Sequence, residues 1–309
     1  MRLLTCIIAA GMFAVAAIPA GAATVAYGEA FDTLYRVDLT THEATKVGAA
    51  GRYAGQIIGN ISGLTTMADG TLYAAAGGFK LLIGIDPESG QATVIGDLGL
   101  NGQGDPGRND ALDLNMAAGC SDTLWLSSAV VNKLWTVDRA TGAAHLVGST
   151  GHALTGIVAR GEQLYGAGGK GDNTFYSVDP STGAATAIGA FGSGVTRWVN
   201  SISMSFDEAG TLWAVINYVP PEHDTDIPAD WSDLATIDPT TGKVHVLGPI
   251  TGPDSLKQIG MKGFTTGPAP CGGIQPPSPA PVDSPWMLAL LAGLLALVAS
   301  TQRHRFVRP

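Results

Sequence analysis

Two sets of side chains in this sequence have the types and spacing to do chemistry. The first is acidic. Asp105 and Asp110 lie in the segment 96–111, and Glu222, Asp224 and Asp226 lie in the segment 218–231. Carboxylates interspersed with amides such as Asn101 and Asn109 are the oxygen donors a hard cation takes, so Ca²⁺ is the cofactor this pattern would suit. The spacing matches no EF-hand, and a solvated acidic loop has the same composition. His223 stands between Glu222 and Asp224, but neighbours in sequence rarely converge on one substrate atom, so acid–base work is not implied. The second set is Arg52, Tyr53, His152, Arg197 and Trp198. These are ligand-binding candidates, because long irregular segments on a rigid scaffold are where recognition concentrates. Trp198 is the only loop aromatic without a counterpart elsewhere in the chain.

No GxSxG, HExxH, CxxC or Walker pattern occurs. Gly166-Ala-Gly-Gly-Lys-Gly171 fits GxGxxG, but it joins two strands instead of opening a helix, so it does not bind a dinucleotide on this reading. A non-catalytic binding role is therefore the leading expectation. A metal-dependent hydrolase or lactonase-type enzyme, with its site on the face carrying loops 97–111 and 217–232, is the alternative.

The elements that must position these residues come from a repeat. An apolar strand ends in Asp, a tight turn follows, and a second strand ends in Gly ten residues after the Asp. The pairs are Asp38 and Gly48, Asp86 and Gly96, Asp138 and Gly148, Asp179 and Gly189, and Asp238 and Gly248. Turns such as Asp86-Pro-Glu-Ser-Gly90 and Asp179-Pro-Ser-Thr-Gly183 put Pro and Gly where hairpin turns want them. Five carboxylates at one turn position are explained by turn amides needing acceptors, without invoking a ligand ring. Upstream of four of the hairpins lies a further strand pair, as in Ser62–Met67 with Thr71–Ala74. Four strands per unit of about 40–50 residues is the arithmetic of a propeller blade.

The fold class read here is all-β, a β-propeller of five four-stranded blades. Six remain open, with a degenerate blade in 97–111 or 217–232. Residues 24–27 behave as a second strand lacking a first, and Gly260-Met-Lys-Gly-Phe-Thr-Thr266 is a surplus first strand. The C-terminal strand should therefore pair into blade one and close the ring. Gly63, Gly156 and Gly263 are expected where inner strands crowd the axis. Tyr73, Trp125, Tyr165 and Trp213 are repeat equivalents expected between blades. The repeat resembles the divergent LYxVDxxTGxATxIG propellers of secreted bacterial proteins, a resemblance that spans residues 24–266 and specifies blades without specifying chemistry.

The 309 residues and 14% charged content suit one large β domain, and 42 glycines favour turns over long helices. Residues 1–22 read as a signal peptide: Met1-Arg2, an apolar core, and Ala20-Gly21-Ala22 before the cleavage point. Residues 23–266 are the propeller. Residues 267–285 hold seven prolines and form an extended linker. Residues 286–309 are an apolar stretch followed by Arg303, Arg305 and Arg308. Its fourteen apolar residues would rise only ~21 Å as a helix, short of a hydrocarbon core of ~30 Å. Pro281-Val-Asp-Ser-Pro-Trp286 with this helix and basic tail resembles the IPTL-CTERM and PEP-CTERM sorting signals of Gram-negative bacteria. That resemblance implies an exosortase-like envelope enzyme as partner; a plain inner-membrane anchor is the other reading. Either way the chain is exported to the cell envelope or beyond, where a glycan, a protein or a matrix component is the expected ligand.

Without Arg2, Arg303, Arg305, Arg308 and Asp283, 13 basic and 25 acidic residues remain, a net charge of −12, which disfavours nucleic acid as a partner. Cys6 leaves with the leader, so Cys120 and Cys271 remain. Each follows an inner strand on the same face, and five extended residues reach ~17 Å. They are expected to form a disulfide that ties the linker under the propeller.

Overall fold

Each Asp–turn–Gly unit folds into the outer hairpin of a four-stranded antiparallel sheet, in a computed structural model that describes residues 24–218, 232–253, 256 and 259–271. Among these residues the four-stranded sheets number five. From the axis outward, blade one is Gly263–Thr265, Val25–Ala30, Thr33–Asp38 and Ala44–Ala49. Blade two is Ile61–Thr66, Leu72–Ala76, Leu81–Ile85 and Ala92–Asp97. Blade three is Leu114–Ala118, Leu124–Ser128, Lys133–Val137 and Ala144–Ser149. Blade four is Gly156–Arg160, Gln163–Ala167, Thr174–Val178 and Ala185–Ala190. Blade five is Ser201–Phe206, Leu212–Asn217, Asp233–Ile237 and Val244–Pro249.

The ten-residue spacing has a physical origin on both sides. Asp38 accepts from the amides of Thr40 at 2.7 Å and Thr41 at 2.9 Å, and Asp86 and Asp138 do the same in their turns. The Gly at the far end of the hairpin lies against the turn of the next blade. A Cβ on Gly48, Gly96, Gly148 or Gly189 would land on the carbonyl oxygen of Ser89, Thr141, Thr182 or Thr241 respectively. Only glycine permits that approach, so the outer rim is a girdle of backbone contacts from blade to blade.

Five apolar clusters fill the spaces between neighbouring blades, one at every interface including that between blades five and one. Trp125 is buried between blades three and four. Tyr73, Tyr165 and Trp213 pack, partly buried, against three of the other clusters, as expected for interblade residues. Ring closure takes the expected form but is shorter than the sequence suggests. Tyr27 pairs with Thr265, Gly28 with Phe264 and Glu29 with Gly263, so three residues carry the seam instead of seven. Near the axis, a Cβ on Gly263 would meet Leu64 Cβ at 2.8 Å, and one on Gly156 would strike the Ile202 carbonyl oxygen.

Neither proposed location holds a sixth blade within the described residues. Segment 97–111 forms a loop with a 3₁₀ turn, Pro106–Arg108, and residues 219–231 lie outside the described set. An additional hairpin, Arg52–Tyr53 with Gln56–Ile57, stands between blades one and two where the sequence suggested only a loop.

After the closing strand, residues 266–271 cross one end of the axis as a strap. The Thr266 hydroxyl bonds the Phe206 carbonyl at 3.0 Å in blade five. Pro268 bridges to Thr66 in blade two, and Gly161 in blade four donates its amide to the Pro270 carbonyl at 3.2 Å. The Cys120–Cys271 disulfide then fixes the strap to blade three, with Cα atoms 5.4 Å apart. The residues expected to form a leader, 1–22, and the linker and sorting segment expected beyond Cys271 lie outside the described residues. Among the described residues, no helix is long and apolar enough to cross a membrane.

One residue breaks the pattern at the seam. Glu29 occupies the position held by Ala75, Ser127, Ala167 and Val215 in the other blades. It is fully buried, and neither carboxyl oxygen has a hydrogen-bond partner. Burial, with a smaller contribution from Asp32, pushes its pKa from an ordinary 4.5 to about 8. The unfolded chain ionises at the lower value, so stability falls as pH rises from about 4.5 to about 8 and levels off above that. The whole effect is on the order of 5 kcal/mol. Glu29→Gln should therefore flatten the decline in melting temperature between pH 5 and pH 8 that the wild type shows. Parallel pH profiles for the two proteins would contradict this assignment.

Candidate functional site

The face opposite the strap carries the loops between blades and the loops joining second to third strands. At its centre is a recess on the propeller axis with a cavity of about 80 Å³. Its wall is a polar ring at the tops of the inner strands. Ser62, Thr155 and Lys262 each immediately precede a glycine that crowds the axis. Asn115 and Ser201 lie at the tops of the other two inner strands. Farther along the axis the channel is filled. Two residual spaces of about 10 Å³ remain, and the lower one is bounded by Ala269 of the strap. Among the described residues, the axis is thus closed at one end and open at the other.

Charge in the recess is organised around Asp113. Lys170, from the loop between the second and third strands of blade four, places its ammonium 2.6 Å from Asp113 Oδ2. Arg108, from the loop between blades two and three, approaches the same carboxylate with both guanidinium nitrogens, at 3.1 and 3.5 Å. Burial alone would raise the Asp113 pKa, but these two cations outweigh it and hold the carboxyl below the ordinary aspartate range. Lys262 lines the recess as well. Its backbone is fixed by its amide donating to the Glu29 carbonyl at 2.9 Å, and its ammonium has no hydrogen-bond partner among the described residues. Burial draws that ammonium below the usual lysine range. Asp113 opposes the shift, and Lys170 and Arg108 add to it. Among the described residues of the recess, three cations face one carboxylate, on a chain that is acidic overall.

The residues singled out from the sequence are placed elsewhere on this face. Tyr53 stands edge-on to Phe79 with ring centroids 5.5 Å apart, and Arg52 bonds the Gly55 carbonyl within its own hairpin. His152 lies against Tyr176, whose hydroxyl bonds Asp172 at 2.7 Å and contacts His152 Nδ1 at 3.1 Å. Burial and then the Asp172 carboxylate push the Tyr176 phenol up to about 12, so it stays protonated and clamps two loops together. The Arg197 guanidinium sits 4.0 Å over the Tyr218 ring, beside Trp198, which is 40% exposed. None of Arg52, Tyr53, His152, Arg197 and Trp198 lines the axial recess.

The acidic candidates divide. Glu222, Asp224 and Asp226 lie outside the described residues. Asp105 caps the 3₁₀ turn by accepting from the Gly107 amide at 2.8 Å. Asp110 accepts from the amides of Gly102 at 2.8 Å and Gly104 at 2.6 Å and pairs with the Lys80 ammonium. Lys80 and those amides lower the Asp110 pKa to about 2. Both carboxylates hold the loop that carries Arg108 and Asp113. Among the described residues, no group of three or more His, Cys, Asp or Glu is placed to share a metal ion.

Sequence reasoning missed Lys170 because it sits in the glycine-rich stretch rejected as a nucleotide loop. It missed Lys262 because that residue reads as part of the closing strand. The available signal was sequence: Lys262 precedes Gly263 as Ser62 precedes Gly63 and Thr155 precedes Gly156, and all three line the mouth.

No protein-family model and no curated protein matches the chain. Solved structures similar to it include a nidogen/laminin complex, at 13% identity and a TM-score of 0.47, covering 78% of this chain and 97% of that one. A protein of unknown function from Bacteroides thetaiotaomicron VPI-5482 is similar at 14% identity and a TM-score of 0.48 over 72% of this chain. This chain spans little more than half of it, 55%. Virginiamycin B lyase from Staphylococcus aureus is similar at 12% identity and a TM-score of 0.40, covering 73% of this chain and 66% of that one. Likenesses of this degree carry no argument about activity, so function rests on the recess itself.

Asp113→Asn tests the electrostatic arrangement. It removes the carboxylate that Arg108 and Lys170 share. Stability should fall by about 1–2 kcal/mol at low salt, since a charged hydrogen-bonding group is lost from a largely buried site. The loss should shrink as ionic strength rises and the cations are screened. A salt-independent loss measured by urea denaturation would mean that Asp113 acts through packing alone.

Proposed function

We propose that this protein is an exported, envelope-directed propeller that binds a small ligand in its axial recess without transforming it. The observation that supports the binding reading most directly is the asymmetry of the axis. Among the described residues, a strap held by the disulfide closes one end, and the other opens into a polar recess lined by three cations and one carboxylate. Small-ligand sites are concave, largely pre-formed and furnished with a few convergent polar groups, and this recess has each of those properties. The export part of the proposal draws on the leader-like residues 1–22, the proline-rich linker and the sorting-signal resemblance of the last thirty residues. The disulfide is consistent with an oxidising compartment.

Two measurements test the proposal together. In a Gram-negative host, the full chain should lose its leader after about Ala22 and fractionate with the envelope, whereas a chain ending at Cys271 should be released in soluble form. In a thermal-shift screen of sugars, organic acids and peptides, hits should disappear in Ser62→Phe, which fills the recess. Hits that persist in that variant would place the binding surface away from the axis, and a cytoplasmic full-length chain would contradict export.

A further inference from the structure

The recess has a composition that selects among ligands. Resting on the binding reading above, we infer that it takes a carboxylate carried on a hydroxylated carbon frame, the chemistry of a uronic acid. The charge comes first. Asp113 takes up Arg108 and Lys170, so their excess charge is partly neutralised inside the protein. Lys262 is different. Its ammonium lines the recess with no hydrogen-bond acceptor among the described residues, on a backbone pinned by Glu29 and by the Gly63 amide at 3.4 Å. A partly desolvated ammonium without an acceptor is costly, and a ligand carboxylate supplies what it lacks.

The rest of the ring does not suit a bare anion. Asn60, Asn200, Ser62 and Ser201 bring amides and hydroxyls that both donate and accept, and the Ser201 hydroxyl is buried without a partner. Such groups match sugar hydroxyls, which also do both. Size agrees. At 10–15 Å³ per water on the measure used for buried water, the 80 Å³ cavity equals roughly six waters, about the displacement of one sugar ring. Lys262 immediately precedes the closing strand, while Lys170 and Arg108 belong to blade four and to the loop leading into blade three. A ligand spanning them would therefore join the seam to the far side of the ring and stabilise the closed propeller.

The test uses the full-length oxidised protein in low-salt buffer, titrated calorimetrically with galacturonate, galactose and inorganic phosphate. Galacturonate should bind, and galactose and phosphate should each bind at least about tenfold more weakly. Galacturonate should raise the melting temperature, and added salt should weaken its binding. Lys262→Met should lose about tenfold in galacturonate affinity while keeping its melting temperature and whatever weak galactose binding exists. Lys170→Gln replaces it if that variant does not fold. Equal affinity for galactose and galacturonate, lost in Ser62→Phe, would overturn the anionic class and leave the binding reading intact. Phosphate binding more tightly than galacturonate would overturn the polyhydroxy requirement. Unchanged galacturonate affinity in both lysine variants would overturn the assignment of the cations. Binding of none of the three probes would overturn the uronate class, and a blank broad screen as well would remove the binding reading itself.

Discussion

A ring of sheets has no free edge only where its two chain ends meet in one sheet, and here that meeting is three residue pairs long. Tyr27, Gly28 and Glu29 hold Thr265, Phe264 and Gly263, and everything else in the propeller depends on that contact. Without it blade one would be a three-stranded sheet with an exposed edge at the axis, and the cluster between blades five and one would lose Met261 and Phe264. Three residues of strand pairing are a small contact for that task. The chain reinforces them from two sides: the Met261 amide bonds the Ser232 hydroxyl at 3.0 Å, and the strap continues to a covalent bond with blade three. The disulfide closes a segment of 151 residues, so in chain-entropy terms it restricts the unfolded chain by as much as about 5 kcal/mol.

The same closing segment divides the molecule into a sealed face and a receptive one. Its residues before Gly263 stand at the open mouth, where Lys262 joins the cationic recess. Its residues after Thr265 cross the other end and bar it. One stretch of about ten residues thus completes the fold, closes the channel and supplies part of the site.

The fold was largely legible because its determinants are local and repeated. An Asp whose turn amides need an acceptor recurs in each unit, and in four of the five a Gly ten residues on must admit the next blade's backbone, so one physical constraint is written into the chain many times. The cysteine pair was legible because few residues separate each from a strand whose direction was already known. The recess was harder to read. Arg108 and Asp113 share one loop, but Lys170 and Lys262 come from other elements up to about 150 residues away in sequence, and only ring closure brings all four to one axis. Net charge misled in a specific way: −12 for the chain without its terminal segments disfavours an extended phosphate-binding surface, but an average says nothing of three cations gathered in one small recess. Asp105 and Asp110 looked like ligand donors because sequence gives the number of carboxylates without showing which amides they already serve. Glu29 was unremarked because a single acidic residue in an early strand looks like any solvent-facing one until the register of the seam buries it.

The most direct measurement of this account is the unfolding of a chain that stops at Ile259, compared with full-length Cys120→Ser/Cys271→Ser so that loss of the disulfide is common to both. If residues 260–266 close the ring, the serine variant keeps a single cooperative transition at a reduced midpoint. The truncated chain should lose cooperativity and expose the interface between blades five and one to rapid hydrogen exchange. Coincident melting curves and equal protection at Ala26, Val37 and Val215 in the two proteins would contradict closure by the C-terminal strand.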